Sequence, residues 1–298
     1  MATDSADEFE AHRGRLFGLA YRMLGSATNA EDVVQDAYLR FSGADRAAIA
    51  APSAWLTKVV TNLCLNQLTS ARARREHYVG PWLPEPVLTA DGALGPLDRA
   101  ELRESVSLGL LRLLERLSPT ERAVFVLREA FSYSHRDIAE FAGLSETNSR
   151  QVHRRARKAI SADTGSHPVE HAHWTDLLER FLAAAGDGDL DGLHQLLAED
   201  VVSVADGGGE VGAARRPVAG KDRVARYLIG LVQRFAGDMD VEISEVNGRP
   251  AVLALAGGQL TGLFLTDVTD GMVSGVYIVA SPSKLRFAAR QLGAVSHP

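Results

Sequence analysis

The chain has a single cysteine, Cys64, in 298 residues. An internal disulfide is therefore impossible, which fits a reducing compartment, and Cys64 is expected as a small buried apolar residue. Cys/His spacing of the metal-binding kind is absent. No apolar run approaches the roughly 20 residues of a membrane span. The acidic start, MATDSADEFEAHRGRLFGLA, has no basic segment followed by an apolar core, so it does not read as a secretory leader. These absences point to a cytosolic protein with no membrane segment, no metal and no cofactor. Internal repeats and low-complexity tracts are also missing. What is present is enough apolar material, 46% of residues, for two or three packed domains.

Excess positive charge is lacking as well. Lys and Arg number 32 against 38 Asp and Glu, a net of -6, and this balance does not announce a nucleic-acid binder. The distribution says more. Residues 1–160 carry 21 basic and 20 acidic side chains, whereas residues 161–298 carry 11 and 18. Acid is concentrated in the C-terminal part, which argues against DNA contact there.

Three globular blocks emerge. Residues 5–77 read as all-helical. Residues 78–98 form a Pro- and Gly-rich linker within HYVGPWLPEPVLTADGALGP. Residues 99–163 are helical again. Residues 168–294 open with helices and then alternate like strands in AVLALA, GQLTGLFLTDV and MVSGVYIVA. The fold class is multidomain: two all-α domains followed by an α+β domain.

In the first block, SATNAEDVVQDAYLRFS reads as a helix, with Thr28 and Glu31 at capping-box spacing. Val33, Ala37 and Phe41 form its core stripe. Asp32, Gln35 and Asp36 share a different face, with Leu39 one turn on. By periodicity alone this is a solvated face. The next helix, SAWLTKVVTNLCLNQLTSARARRE, is expected to take Ser53 as its N-cap. Trp55, Val59 and Leu63 follow one stripe, and Lys58, Asn62 and Asn66 lie along a neighbouring face. The helix ends in Arg72, Arg74 and Arg75. Cations suit a helix C-terminus. Amides with arginines also suit single-stranded DNA, through phosphate neutralisation and base-edge hydrogen bonds.

The second block holds the most specific stretch, LSPTERAVFVLREAFSYSHRDIAEFAGLSETNSRQVHRRARKAI. Ser118, Pro119 and Glu121 mark a helix start. Ser134 and Asp137 mark the next, short helix. Gly143 supplies a tight turn and Ser145 caps a third helix. Val152, Ala156 and Ile160 line that helix's buried side, and its other side carries five Lys and Arg against one acid from Glu146 to Lys158. This is a helix-turn-helix pattern. Arg150, Gln151 and Arg154 fall where a recognition helix touches bases, since Arg reads guanine and Gln reads adenine. Arg155, Arg157 and Lys158 are placed to reach phosphates.

The two helical blocks together resemble the conserved domains of extracytoplasmic-function sigma factors. The resemblance implies roles. Asp32, Gln35, Asp36 and Leu39 would dock on the β′ clamp coiled coil of core RNA polymerase. Lys58, Asn62 and Asn66, with Arg72, Arg74 and Arg75, would melt and read the −10 element. The helix-turn-helix would read the −35 element, and the β flap would be a second polymerase contact. The third block resembles the SnoaL-like, NTF2-like fold, helices on a strongly curved antiparallel sheet. Sigma factors with this appendage form the SigJ-like subgroup, and two short motifs match it. One is WLPEP, Trp82–Leu83–Pro84–Glu85–Pro86. The other is Asp206–Gly207–Gly208–Gly209, after which this chain has Glu210 where the subgroup commonly has Lys.

WLPEP is a stiff apolar strip with few donors, and Trp82 is a large anchor that prefers a pocket. It is expected to dock on the appended domain near Asp206–Gly209, itself a turn of positive φ angles. The chain is thus expected to be a non-enzymatic initiation factor regulated in cis, with promoter DNA and core polymerase as partners. A small ligand of the third block stays open, and a separate anti-sigma factor is neither required nor ruled out. An enzyme in the third block would draw on His194, Asp206, Asp267 and Tyr277, which the sequence does not show to converge. An operator-binding regulator that never meets polymerase would have no use for the first block.

Overall fold

The computed structural model describes residues 2–75, 78–90, 106–161, 171–235, 237 and 239–295. Contacts divide the chain into two compact units. The first contains Met1–Glu76, Asp91–Val106 and Leu110–Thr164, and the second contains His77–Ala90, Ser107–Gly109 and Gly165–Pro298.

In the first unit, α1 (Ala2–Leu24), α2 (Ala27–Ser42) and α3 (Pro52–Arg75) pack on one another. Their core is built from Phe9, Leu16, Tyr21, Val33, Ala37, Phe41, Leu56 and Val60, all buried. Two expected helix starts shift. The N-cap of α2 is Ser26, whose hydroxyl accepts from the Asn29 amide, so Thr28 lies inside the helix. Pro52 begins α3, so Ser53 is already helical, because Pro fixes φ and needs no amide partner at the first position. The deep stripe of α3 runs through Leu56, Val60, Leu63 and Cys64, while Trp55 and Val59 are half-buried. Burial pushes the Cys64 thiol well above its ordinary range.

The same unit contains α4 (Leu108–Leu114, from Leu110 on), α5 (Pro119–Glu129), α6 (His135–Ala142) and α7 (Glu146–Ser161). Both capping boxes form, Ser118 with Glu121 and Ser134 with Asp137. Gly143 takes the left-handed conformation that ends α6, φ 66°, and Ser145 accepts from the Asn148 amide at the start of α7. Buried Ile138, Phe141, Val152, Ala156 and Ile160 close this second core.

The second unit has α8 (His171–Asp187), α9 (Leu190–Leu196), β1 (Leu197–Asp206), β2 (Val218–Ala219), α10 (Lys221–Phe235), β3 (Asp240–Val246), β4 (Arg249–Ala256), β5 (Gln259–Thr269), β6 (Met272–Val279) and α11 (Pro282–Val295). The sheet order is β2-β1-β6-β5-β4-β3. It is mixed where an antiparallel sheet was expected: β1 pairs with β6 in parallel, Val204 opposite Tyr277, and the other neighbours are antiparallel. Alternation looks the same in either direction. Only the long return through α10 and β3–β5, which parallel pairing needs, tells them apart. Asn247-Gly248, Gly257-Gly258 and Asp270-Gly271 all have positive φ and make the two-residue hairpins.

Alternation along β5 and β6 splits the domain's apolar residues into two clusters. Phe264, Val276 and Ile278 pack with Trp174, Phe181, Leu193 and Val224 from α8, α9 and α10. Leu263, Leu265, Tyr277 and Val279 pack with Leu285 of α11, and also with Leu83, Leu88 and Leu108. The second cluster therefore borrows residues from far earlier in the chain.

Candidate functional site

The exposed basic face of α7 comes from its helical period. Val152, Ala156 and Ile160 turn inward, which leaves Arg150, Gln151, Arg154, Arg155, Arg157 and Lys158 all exposed. Arg150 pairs with Glu146 one turn earlier at 2.5 Å, and Arg155 lies 3.5 Å from Glu121 of the capping box. Exposed pairs of this sort hold little energy, about 0–1 kcal/mol, so both guanidinium groups can exchange their partners for phosphate or base. Ser118 holds the Glu121 carboxyl below its usual range. His153 bonds Glu129 at 2.6 Å, and His135 bonds Ser149 at 3.1 Å, which fixes α6 against α7. Burial, with Arg128 nearby, lowers the His135 pKa.

On α3, Asn62 and Asn66 are exposed, and the Asn62 amide donates to the Lys58 carbonyl at 2.8 Å. The side chains of Arg72, Arg74 and Arg75 lie outside the described residues. Lys58 pairs with Glu140 of α6 at 3.3 Å. That contact belongs to a wider interface inside the first unit. The Arg15 guanidinium donates to the Tyr133 hydroxyl at 2.5 Å and stacks on Phe131 and Tyr133. Tyr133 also bonds Thr57 at 2.9 Å. Arg122 of α5 is buried and donates to the carbonyls of Met23 and Leu114 and to Glu115. Arg22 is buried over the Phe131 ring. Burial lowers both the Arg22 and Arg122 pKa values to about 10. Sequence patterning missed this interface because Arg22 and Arg122 sit in amphipathic helices where a cation is normally read as solvated.

On α2, Asp32, Gln35 and Asp36 are exposed together with Leu39, an exposed large hydrophobic at 60%.

In the second unit the segment Tyr78–Thr89 runs as a strap across the sheet. Leu83, at 0% exposure, is its anchor, and Pro84, Pro86, Val87 and Leu88 are buried with it, while Trp82 and Glu85 are half-buried. Trp82 was expected as the anchor; Leu83 is the more deeply buried of the two, and the Trp82 ring is only half-buried. Lys284 stacks on that ring at 4.2 Å and on Tyr78 at 4.6 Å.

Asp206, 1% exposed, locks the strap. Its Oδ2 accepts from the Leu83 amide at 2.7 Å and from the Lys284 ammonium at 2.5 Å. Its Oδ1 accepts from the Tyr78 hydroxyl at 2.6 Å and the Gly208 amide at 2.9 Å. The Lys284 ammonium also donates to the Leu83 carbonyl. Burial and the Asp206 carboxylate push the Tyr78 pKa up. At Gly209, φ is 75°, and a Cβ would stand 3.1 Å from that of Val79, so glycine lets the turn touch the strap. Glu210, the departure from the subgroup's Lys, accepts from Ser283 at 2.7 Å and Ser281 at 2.9 Å, which holds its carboxyl below the usual range.

The strap's far end joins the sheet. Thr89 donates to the Glu245 carbonyl and Asn247 to the Val87 carbonyl, both within 3.0 Å. Asn247 Oδ1 accepts from Val87, and the Gln291 side chain holds both backbone groups of Leu88. Lys284, Asn247 and Gln291 carry no sequence signal, because each meets the strap from at least 160 residues away.

Of the four residues that acid-base chemistry would need, two converge. Tyr277 donates to Asp267 at 2.7 Å, while Asp206 is committed to the strap and His194 lies 3.7 Å from Asp222. Among the described residues no group of three or more His, Cys, Asp or Glu could hold a metal, and no helix is long and apolar enough to cross a membrane.

Comparison with known proteins gives three domain matches. Residues 9–74 match Sigma-70 region 2, residues 107–160 match Sigma-70 region 4, and residues 178–274 match the SnoaL-like domain. The chain is 39% identical to the ECF RNA polymerase sigma factor SigJ of Mycobacterium tuberculosis, over 93% of this chain and 92% of that one. It is 33% identical to the probable ECF sigma factor SigI of the same species, over 96% of each. The crystal structure of M. tuberculosis SigJ aligns with a TM-score of 0.77 at 36% identity, covering 95% of this chain and 98% of that one.

Proposed function

The chain belongs to the extracytoplasmic-function sigma factors of RNA polymerase, and from that premise we propose that its SnoaL-like domain governs initiation in cis by holding or releasing the strap. As an alternative sigma factor it binds core RNA polymerase and promoter DNA and directs transcription initiation. We place it in the cytoplasm, and its appended domain acts without catalysis.

The residue roles follow the family. Asp32, Gln35, Asp36 and Leu39 dock on the β′ clamp coiled coil. Lys58, Asn62 and Asn66, with the arginines ending α3, serve the −10 element. The exposed face of α7 serves the −35 element. The β flap takes region 4. The domains read as 5–77, 99–163 and 168–294, and by contacts the strap and Ser107–Gly109 go with the third.

The observation that carries the proposal is Asp206, Lys284 and Leu83 clamping the stretch that joins region 2 to region 4. Elements centred near −10 and −35 lie about 25 base pairs apart, on the order of 85 Å at 3.4 Å per pair. Lys58 of region 2 and Glu140 of region 4 stand 3.3 Å apart in the first unit, so its two readers must separate before both elements are bound. Separation needs slack in the joining segment. The strap, residues 78–90, is bound along its length, and once freed it can span up to about 45 Å between the two readers at 3.3–3.6 Å per residue.

The test is transcription from a promoter carrying both elements, with core polymerase and either wild type or Leu83→Ala. Initiation by both, and more of it per chain with Leu83→Ala, is expected. Equal initiation at every concentration removes the regulatory role from the strap.

A further inference from the structure

Resting on the strap reading, we propose that the domain has a second seat, in which Asp267 and Tyr277 hold the start of region 4 at Gly109. Region 4 begins at residue 107 by its family match, yet Ser107–Gly109 belong to the second unit. Ser107 and Leu108 are buried, and Leu108 is a member of the same apolar cluster as Leu83, Leu88, Tyr277 and Leu285. The helix α4 thus starts in the core of the appended domain and continues into the first unit from Leu110.

The contact that requires glycine is at Gly109. A Cβ there would stand 2.1 Å from Asp267 Oδ2 and 3.0 Å from the Tyr277 hydroxyl. No real pair of atoms sits so close, so the backbone of α4 is pressed directly onto the carboxylate. The carboxylate has little freedom to retreat. Its Oδ2 accepts from Tyr277 at 2.7 Å, its Oδ1 accepts from Arg249, and the Arg249 guanidinium stacks 4.3 Å from the Trp174 ring. The Trp174 indole in turn donates to Thr266 at 3.0 Å. Tyr277 is braced in the apolar cluster by Leu265, its partner across β5 and β6. A glycine inside a helix is ordinarily a weakness that alanine repairs. Here the pattern inverts, because the missing methyl makes room for Asp267.

The two acid-base candidates therefore have a positioning role. Asp267 and Tyr277 form a platform for the entry of region 4, as Asp206 and Lys284 do for the strap that leaves region 2. The segment between the two domains is gripped at both ends, and both grips must open to give its full length.

The experiment is amide hydrogen exchange on the full chain, with transcription by core polymerase as a second readout. Gly109→Ala is expected to raise exchange at residues 107–112 at least tenfold, to leave residues 83–88 of the strap unchanged, and to raise initiation. Asp267→Ala takes away the platform itself and is expected to raise exchange at the same residues. Unchanged or slower exchange in the Gly109→Ala variant overturns the second seat. So does a rise spread evenly over the sheet, or an Asp267→Ala variant that leaves residues 107–112 unchanged. Because the strap is read separately, an inert strap with a responsive residue 109 refutes the first grip and leaves the second.

Discussion

Asp206→Asn tests the lock with almost no change of shape. The carboxylate receives four donors, two on each oxygen. An amide has one accepting oxygen and one donating nitrogen. If the nitrogen replaces Oδ2, it faces the Leu83 amide and the Lys284 ammonium, and if it replaces Oδ1, it faces Tyr78 and Gly208. The first choice sets two donors against a donor; the second sets the Gly208 amide against a donor and forces the Tyr78 hydroxyl to accept instead of donate. Lys284, 8% exposed, also loses its counter-charge. Removing one partner of a buried pair costs about 3–5 kcal/mol. At about 1.4 kcal/mol per decade, this multiplies the open population of the strap roughly 140- to 3,700-fold.

The measurement is exchange at the amides of Leu83, Val87 and Leu88, with β4 and β5 as an internal reference. Strap amides should accelerate by that factor while the reference holds. A change below tenfold means that the pair contributes little and the apolar anchor carries the strap. Asp206→Asn/Lys284→Met should recover part of the loss, since it removes the stranded ammonium.

Two further outcomes follow from the DNA-binding half. Arg150→Ala should weaken binding by about 1–3 kcal/mol at one −35 position if Arg150 reads a base, measured against a panel of single-base variants; a uniform loss assigns it to phosphate. The Glu121 carboxyl has a lowered pKa through its bonds to Ser118, so its contribution is complete above its unfolded value and is lost as pH falls through the folded value. Thermal unfolding of wild type should therefore lose stability on acidification below the ordinary carboxylate range. Glu121→Gln should show a shallower fall, and identical slopes would remove the capping box from the pH response.

Much of the first unit is legible in the sequence because its signals are local. Ser118-Pro119-Glu121, Ser134 with Asp137, and Gly143 each act within one turn of chain, and the four-residue step of Val152, Ala156 and Ile160 fixes which face of α7 meets water. The strap motif could be named as a unit that docks. Its anchor could not, since how deeply Trp82 and Leu83 each bury depends on the surface the strip meets. The parallel pairing of β1 and β6 was also hidden, because alternation is blind to strand direction.

The sequence alone determined the two helical domains and the basic face of α7, and its resemblance to a family supplied the class of protein and the WLPEP and Asp206–Gly209 motifs. These rest on residues close together in the chain, where period, caps and charge act directly. Tertiary structure decided what grips the linker. Lys284, Asn247, Gln291, Asp267 and Tyr277 reach it from more than 150 residues away, and Gly109 has meaning only once a carboxylate stands where its side chain would be. Such contacts depend on burial and close approach in three dimensions, and a one-dimensional pattern carries neither.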